Sequence, residues 1–220
     1  SGRMSGGRYS GIAPGCNLIM VKVLDRKGNG YSSDVLAGIS WVLERKEQLG
    51  IRILNISVGA CSKRGMSENS ALVKGVNRAW DAGLVVVVAA GNNGPRTMSI
   101  TTPGISRKVI TVGCSDDDRE VLVGGNRMVD YSGRGPTAAC ICKPDLVAPG
   151  CSVVSCSSRA DKYTIKSGTS MSTPIVSGAV ALLLERFPDM SNKDVKLRLR
   201  ESSVDIGLPR NQQGWGLLDV

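Results

Sequence analysis

The sequence predicts one α/β domain built on a mainly parallel sheet. Segments with the 3.6-residue periodicity of amphipathic helices alternate with short apolar, β-branched segments. One of these segments, residues 84–90, is apolar without a break, which is typical of a parallel strand covered on both faces. Because right-handed crossovers place helices on both faces of such a sheet, we expect a three-layer αβα arrangement. No linker or internal repeat divides the 220 residues.

The first half of the chain supplies four predicted elements. Residues 17–24 are apolar and β-branched and predict a strand, after which the glycines at 28–30 predict a turn or extended loop. Residues 33–48 have apolar side chains at helical spacing, and Gly50 is a typical C-terminal stop. The next elements are a strand over 51–58 and a helix over 67–82.

The second half continues the alternation. Strands are expected over 84–90 and 109–114, and a long apolar helix over 170–187. A last helix is expected over 191–201, where Ser191 and Asp194 have the spacing of a capping box. Ligands in open α/β sheets bind outside the carboxyl ends of the strands. The glycine-rich segments that follow the strands over 51–58 and 84–90 are therefore candidate binding loops.

The composition argues against two classes of partner. The formal net charge is +9, from 28 Lys and Arg against 19 Asp and Glu, but these cations are scattered along the chain. Without a nucleic-acid-binding motif, a solvated basic surface is the favoured interpretation, and we expect no nucleic-acid partner. No stretch reaches the roughly 18 uninterrupted apolar residues that a membrane helix needs, so we expect no membrane partner.

Seven cysteines cannot all pair within the chain. Cys140 and Cys142 lack the spacing of a zinc knuckle, and no histidine is present to complete one. Free thiols in a reducing compartment are the favoured interpretation, which favours an intracellular location. A secreted location stays open, because a signal peptide can be lost together with the N-terminus.

A serine at the start of the long apolar helix carries the sharpest chemical signal. The heptapeptide 168–174 reads GTSMSTP, which puts Ser170 where backbone N–H groups lack partners and the helix dipole favours negative charge. Such a position stabilises a developing oxyanion. From the residues alone, helix capping by Ser170 is the favoured role and nucleophilic catalysis the alternative.

Several motifs in order resemble one family. The heptapeptide 168–174 resembles the nucleophile motif of the subtilisin (peptidase S8) family of serine proteases, and AAGNNG at 89–94 resembles its oxyanion-hole segment. Residues 55–59 (NISVG) resemble its substrate-binding strand, and residues 22–30 the opposing one. Further similar segments lie at 131–136, 143–150 and 214–220, so that the resemblance covers nearly the whole chain.

The resemblance implies an endopeptidase site and a subtilisin-like three-layer αβα fold. Ser170 would be the nucleophile, and its backbone N–H and the side-chain amide of Asn92 would bind the oxyanion. An extended peptide or protein substrate would lie between two backbone segments, with one wall of the primary pocket formed by a third. These segments are Gly28, Asn29 and Gly30; Ser57, Val58 and Gly59; and Ala89, Ala90 and Gly91.

The catalytic His and Asp of the family are not in this sequence, which contains no histidine. The family order, Asp then His then Ser, puts both upstream of Ser1. We therefore interpret residues 1–220 as a partial, N-terminally truncated peptidase S8 catalytic domain. Because no imidazole is present to take the serine proton, the isolated chain is predicted to be inactive. The alternative is a non-catalytic subtilisin-like module that binds peptides or serves in assembly.

The resemblance also bears on calcium and on protein partners. The family's common calcium loop would map onto residues 3–9, where the acidic and amide ligands are absent, so we expect no strong calcium site and no cofactor. Residues 116–118 (DDD) are interpreted as a solvated turn. In the family fold the Asp-bearing strand lies between the counterparts of 17–24 and 51–58. Its loss would expose strand edges, which predicts an N-terminal complementing fragment or a homo-oligomer.

Overall fold

The computed structural model describes residues 9–60, 67–157 and 163–219. Its centre is a four-stranded sheet, all parallel, with strand order β1-β2-β3-β6. These strands are β1 (Ile53–Ile56), β2 (Val85–Ala89), β3 (Ile110–Cys114) and β6 (Leu146–Ala148). The parallel order and the intervening helices confirm the α/β class predicted from the alternating pattern.

Helices cover both faces of this sheet. Every residue of β2 and β3 is buried, and since successive side chains of a strand point to opposite faces, both faces must be covered. The helix α3 (Thr169–Arg186) packs against all four strands, whereas α1 (Ser32–Leu49) packs on α2 (Ala71–Asp81), which packs on β2. The three layers expected from the sequence are present.

Local signals set the end of α1 and the start of α4 close to where the sequence predicts, whereas α2 begins at Ala71 rather than at the predicted residue 67. Gly50 follows α1 in the left-handed conformation at φ 62°, which glycine adopts without steric cost. Ser191 caps α4 (Asn192–Ser202), and Asp194 completes the predicted capping box. The observed strands are shorter than predicted, because β1 keeps only four of the eight residues over 51–58.

The predicted strand over residues 17–24 is wrong. These residues form no ladder, and the only strand paired with β1 among the described residues is β2. A strand requires hydrogen bonds from a neighbouring strand, and the described chain places none beside this segment. Its side chains at positions 21 and 23 instead face Gly38 of α1. Leu18 and Met20 remain 71% and 89% exposed.

Several elements were not predicted. The segment 143–150, for which no strand was predicted, contains β6, which pairs with β3. Two hairpins lie outside the main sheet: β4 (Val121–Val123) with β5 (Asn126–Met128), and β7 (Val153–Cys156) with β8 (Tyr163–Lys166). The short helix α5 (Arg210–Gln213) precedes the C-terminal segment, where Leu217 makes isolated bridges to Val147 and Val204 rather than a full strand.

The six cysteines within the described ranges are free thiols, which agrees with the favoured interpretation from the sequence. Four of them are exposed: Cys16, Cys140, Cys142 and Cys156. Across the same ranges, no helix combines the length and the apolar character required to cross a bilayer.

Candidate active site

Ser170 lies in the first turn of α3, two residues after a glycine that the backbone requires. Gly168 has φ 139°, a region that favours glycine, and a Cβ there would lie 3.3 Å from Nδ2 of Asn92. The N–H of Gly168 donates to the carbonyl of Gly150 at 2.9 Å. The start of α3 is thus held against the loop that follows β6, and Ser170 is half-buried at the carboxyl end of the sheet.

The hydroxyl of Ser170 points at the predicted substrate segment. Its Oγ donates a 2.9 Å hydrogen bond to the backbone carbonyl of Ser57. A peptide carbonyl accepts a hydrogen bond but is no general base, so this contact positions Ser170 without activating it. The structure therefore brings the predicted nucleophile to the segment of Ser57, Val58 and Gly59.

Thr169 orients the side chain of Asn92. The backbone N–H of Thr169 and its Oγ1 both donate to Oδ1 of Asn92, at 2.9 and 3.0 Å. Because a backbone N–H can only donate, its partner must be the amide oxygen, and the Nδ2 donor group points the other way. Thr169 Oγ1 also accepts from the N–H of Gly91 at 3.1 Å. Asn92 and Ser170 are thus joined through one residue.

Thr169 was not among the predicted site residues. It lies inside the recognised heptapeptide, so the motif contained the signal, but only the fold shows that its two donors reach Asn92.

Two of the predicted substrate-binding segments, residues 57–59 and 89–91, lie side by side at the carboxyl ends of β1 and β2. Residues 101 and 102 tie them together. The N–H of Ala60 donates to Thr102 O at 2.9 Å, and the N–H of Thr101 donates to Ala90 O at 2.8 Å. The segment 131–136 also fixes Gly91, because the carbonyl of Gly91 accepts a hydrogen bond from the N–H of Gly133 at 2.8 Å.

The third predicted substrate segment, Gly28, Asn29 and Gly30, forms an exposed turn before α1. Asp25 organises it, since its Oδ1 accepts from the N–H groups of Lys27 and Asn29 at 2.8 and 2.9 Å. No hydrogen bond in the described chain joins this turn to residues 57–59. Its role as the opposing substrate segment stays a prediction.

The acidic run 116–118 is more than the solvated turn expected from the sequence. Asp116 Oδ1 accepts from the N–H groups of Gly150 and Cys151 at 2.7 and 3.0 Å. Asp117 is buried, and its Oδ2 accepts from the N–H of Ser132 at 2.7 Å. Only Asp118 is exposed. Two of the three carboxylates therefore hold the loops beneath Ser170 in place.

The thiol of Cys114 lies among the buried loops that position Ser170, and burial shifts its pKa. Cys114 is completely buried, with its sulfur 3.1 Å from the hydroxyl of Tyr131 and 3.1 Å from Oδ1 of Asp116. Burial raises the pKa of the Cys114 thiol to about 12, and it raises the pKa of Tyr131 as well. Both groups stay neutral at physiological pH, so neither supplies charge to the site.

The expectation of no strong calcium site concerns residues 3–9, of which residues 3–8 lie outside the described ranges. Within those ranges, no group of three or more acidic, cysteine or histidine side chains is arranged to hold a metal ion. The calcium expectation stays a prediction.

A parallel sheet, a serine at the start of the helix crossing it, and an asparagine amide held beside that serine define the subtilisin-like class of α/β proteins. The model of the Subtilase family (Peptidase_S8) matches residues 1–216. The chain belongs to this family.

Known proteins support the same assignment. Serine protease AprX of Bacillus subtilis (strain 168) is 40% identical over 220 residues, covering 92% of this chain and 50% of that protein. Subtilisin DY of Bacillus licheniformis is 34% identical over 212 residues, covering 96% of this chain and 69% of its own. The chain thus spans half the length of AprX.

Solved structures agree in fold. Sphericase superposes with a TM-score of 0.78 at 31% identity, covering 94% of this chain and 69% of that one. S41 Psychrophilic Protease superposes with a TM-score of 0.80 at 29% identity, covering 98% and 72%.

Proposed function

We propose that this chain carries the nucleophile and oxyanion hole of a serine endopeptidase that cleaves peptide bonds through an acyl-enzyme on Ser170. The observation that carries the proposal is the link from Asn92 through Thr169 to Ser170, with Asn92 Oδ1 accepting both hydrogen bonds from Thr169. A fixed amide donor beside a serine hydroxyl at a helix N-terminus suits a tetrahedral intermediate.

The proposed reaction has two steps, acylation of Ser170 and hydrolysis of the resulting ester. Ser170 Oγ attacks the carbonyl carbon and gives its proton to a general base, while Asn92 Nδ2 and the N–H of Ser170 donate to the oxyanion. The C–N bond then breaks, the amine leaves with that proton, and an ester to Ser170 remains. Water next attacks the ester, releases the new carboxyl group and restores the hydroxyl.

The general base has to come from residues outside these 220, which contain no histidine. Lys166, the basic residue nearest to Ser170 in sequence, is exposed on β8 and pairs with Val153. The described Ser170 hydroxyl contacts a carbonyl rather than a base. We therefore propose that the isolated chain is inactive, and that an N-terminal piece of the same protein completes the site.

A fluorophosphonate probe tests this proposal on three samples: the native protein that contains this chain, residues 1–220 alone, and the native protein with Ser170→Ala. We expect labelling of Ser170 in the first sample only. Strong labelling of residues 1–220 alone would contradict the external base. A native protein that neither reacts with the probe nor hydrolyses peptides would favour the alternative, a non-catalytic peptide-binding or assembly module.

A further inference from the structure

A slot beside Ser170 separates residues 57–59 from residues 89–91, and these two segments are its walls. The side chain of Thr101 occupies the slot. Gly59 in one wall and Gly91 in the other both face this side chain. A Cβ added to either glycine would lie 2.5 Å from Thr101 Oγ1, closer than non-bonded atoms approach. The space that two missing side chains leave open is therefore filled by Thr101.

Thr101 is held firmly in this position. Its N–H and its Oγ1 both donate to the carbonyl of Ala90, at 2.8 and 3.3 Å. The following residue, Thr102, exchanges backbone hydrogen bonds with Ala60, at 2.9 and 3.3 Å. The segment is thus bonded to both walls, and Thr101 is only 5% exposed. A ligand that pushed Thr101 aside would break buried hydrogen bonds.

The slot opens next to the attacked bond. One wall begins at Ser57, whose carbonyl accepts from Ser170 Oγ, and the other ends at Gly91, directly before Asn92. A carbonyl placed between Ser170 and the amide of Asn92 therefore has its own residue's side chain at the mouth of the slot.

We propose that Thr101 closes this slot and restricts the protein to substrates with a small residue, Gly, Ala or Ser, on the acyl side of the cleaved bond. This inference rests on the proposed endopeptidase function and adds a substrate class to it. A side chain too large by even one methylene loses about 10–200-fold in kcat/KM in a closed apolar pocket.

A peptide series that differs only at that residue tests the inference on the native protein that contains this chain. We expect kcat/KM for Ala to exceed that for Phe by at least about 10-fold. Thr101→Gly should raise kcat/KM for Phe relative to that for Ala by about 10-fold or more. Thr101→Val keeps the volume and loses the hydroxyl, so it should retain the preference for small residues.

Either of two results would overturn the inference: the unmodified protein cleaves after Phe as well as after Ala, or Thr101→Gly leaves the ratio of kcat/KM for Phe to that for Ala unchanged.

A binding series separates failure of this inference from failure of the proposed function. Peptides ending in a free carboxylate at Ala or Phe are titrated calorimetrically into the Ser170→Ala protein, with and without Thr101→Gly. Preference for Ala, abolished by Thr101→Gly, supports the slot even without hydrolysis; equal affinity, or no binding of either peptide, overturns it.

Discussion

An asparagine side chain assists catalysis only if its amide nitrogen, and not its oxygen, faces the developing oxyanion. In this chain Thr169 makes that choice, because both of its donors engage Oδ1 of Asn92. The residue next to the nucleophile thus orients the residue that would stabilise the intermediate. We therefore predict that Thr169 acts through Asn92, as a positioning residue rather than a catalytic one.

Thr169→Val tests this role in the native protein. The substitution keeps the side-chain volume but removes the Oγ1 bond to Asn92, so kcat should fall about 10-fold while KM changes little. That loss is smaller than the about 10²–10³-fold that removal of an oxyanion donor costs, a magnitude established on the subtilisin asparagine itself. Thr169→Ser restores the hydroxyl and should restore kcat. A rise in KM with unchanged kcat would contradict the positioning role.

A buried lysine makes stability depend on pH. Lys143 is 1% exposed, and its Nζ donates to Val109 O at 3.1 Å and pairs with Asp145 Oδ2 at 2.5 Å. Burial lowers the pKa of Lys143 from 10.5 to about 8. Between these two pKa values, Lys143 is protonated in the unfolded chain and neutral in the folded chain. Because the unfolded chain then binds more protons, the free energy of unfolding rises with pH. The contribution of Lys143 to stability is complete above pH 10.5 and is lost as the pH falls toward 8.

Lys143→Met removes this dependence. We expect the free energy of unfolding of the unmodified protein, relative to the variant, to increase by about 3 kcal/mol as the pH rises from 8 to 10.5, since each pKa unit is worth about 1.4 kcal/mol. Urea unfolding of both proteins at several pH values measures the difference. Lys46→Met, on the surface of α1, is the control and should leave the profile unchanged. A constant difference across this range would contradict the prediction.

At the scale of elements, α4 is fastened to the sheet by its first residue. Asn192 is buried, and its Nδ2 donates to the carbonyls of Trp80 and Leu84 at 2.7 and 3.1 Å. Those carbonyls flank the turn between α2 and β2. One side chain therefore satisfies two buried acceptors and joins three elements that are distant in sequence.

Asn192→Ala should destabilise the protein by about 2–3 kcal/mol, because it removes the two buried hydrogen bonds to the carbonyls of Trp80 and Leu84. Ser191→Ala, one residue earlier, is the matched control: it removes only an exposed helix cap and should cost about 1 kcal/mol. Chemical denaturation with comparison of the midpoints measures both. Equal losses in the two variants would show that Asn192 serves α4 as a local cap and not as a tertiary link.

At the scale of the whole molecule, the edge at β1 is open in the described chain. Among the described residues β1 pairs with β2 alone, and residues 18–21 present exposed apolar side chains. An unpaired edge with apolar surface favours pairing with another chain. We propose that this edge receives the N-terminal complementing piece or, in its absence, a second copy.

Residues 1–220 produced alone should therefore self-associate. Leu18→Lys with Met20→Lys should weaken the association, because charge on the exposed segment opposes its burial. Leu122→Lys on the β4–β5 hairpin, also an exposed apolar position, is the control and should leave association unchanged. Light scattering over a concentration series gives the mass. A well-folded monomer at all concentrations would contradict the prediction.

Local sequence made the helices and the candidate catalytic pair, Ser170 and Asn92, predictable. The cap at Ser191 and the stop at Gly50 act within a few residues of the chain, so the sequence predicts both ends correctly. The continuous apolar run of β2 likewise predicts its burial. Ser170 and Asn92 were recognisable because their neighbours in sequence form specific motifs.

Pairings between distant segments were decided by the tertiary structure alone. Residues 17–24 have strand composition but no partner, whereas Leu146–Ala148 is only three residues long and becomes a strand because β3 lies beside it. Thr169 can orient Asn92 only because the fold brings together two residues that are 77 positions apart. Thr101 can fill the slot only because the fold places Gly59 and Gly91 on either side of it. Hydrogen bonds and contacts of this kind depend on where the fold brings residues together, which no local pattern encodes.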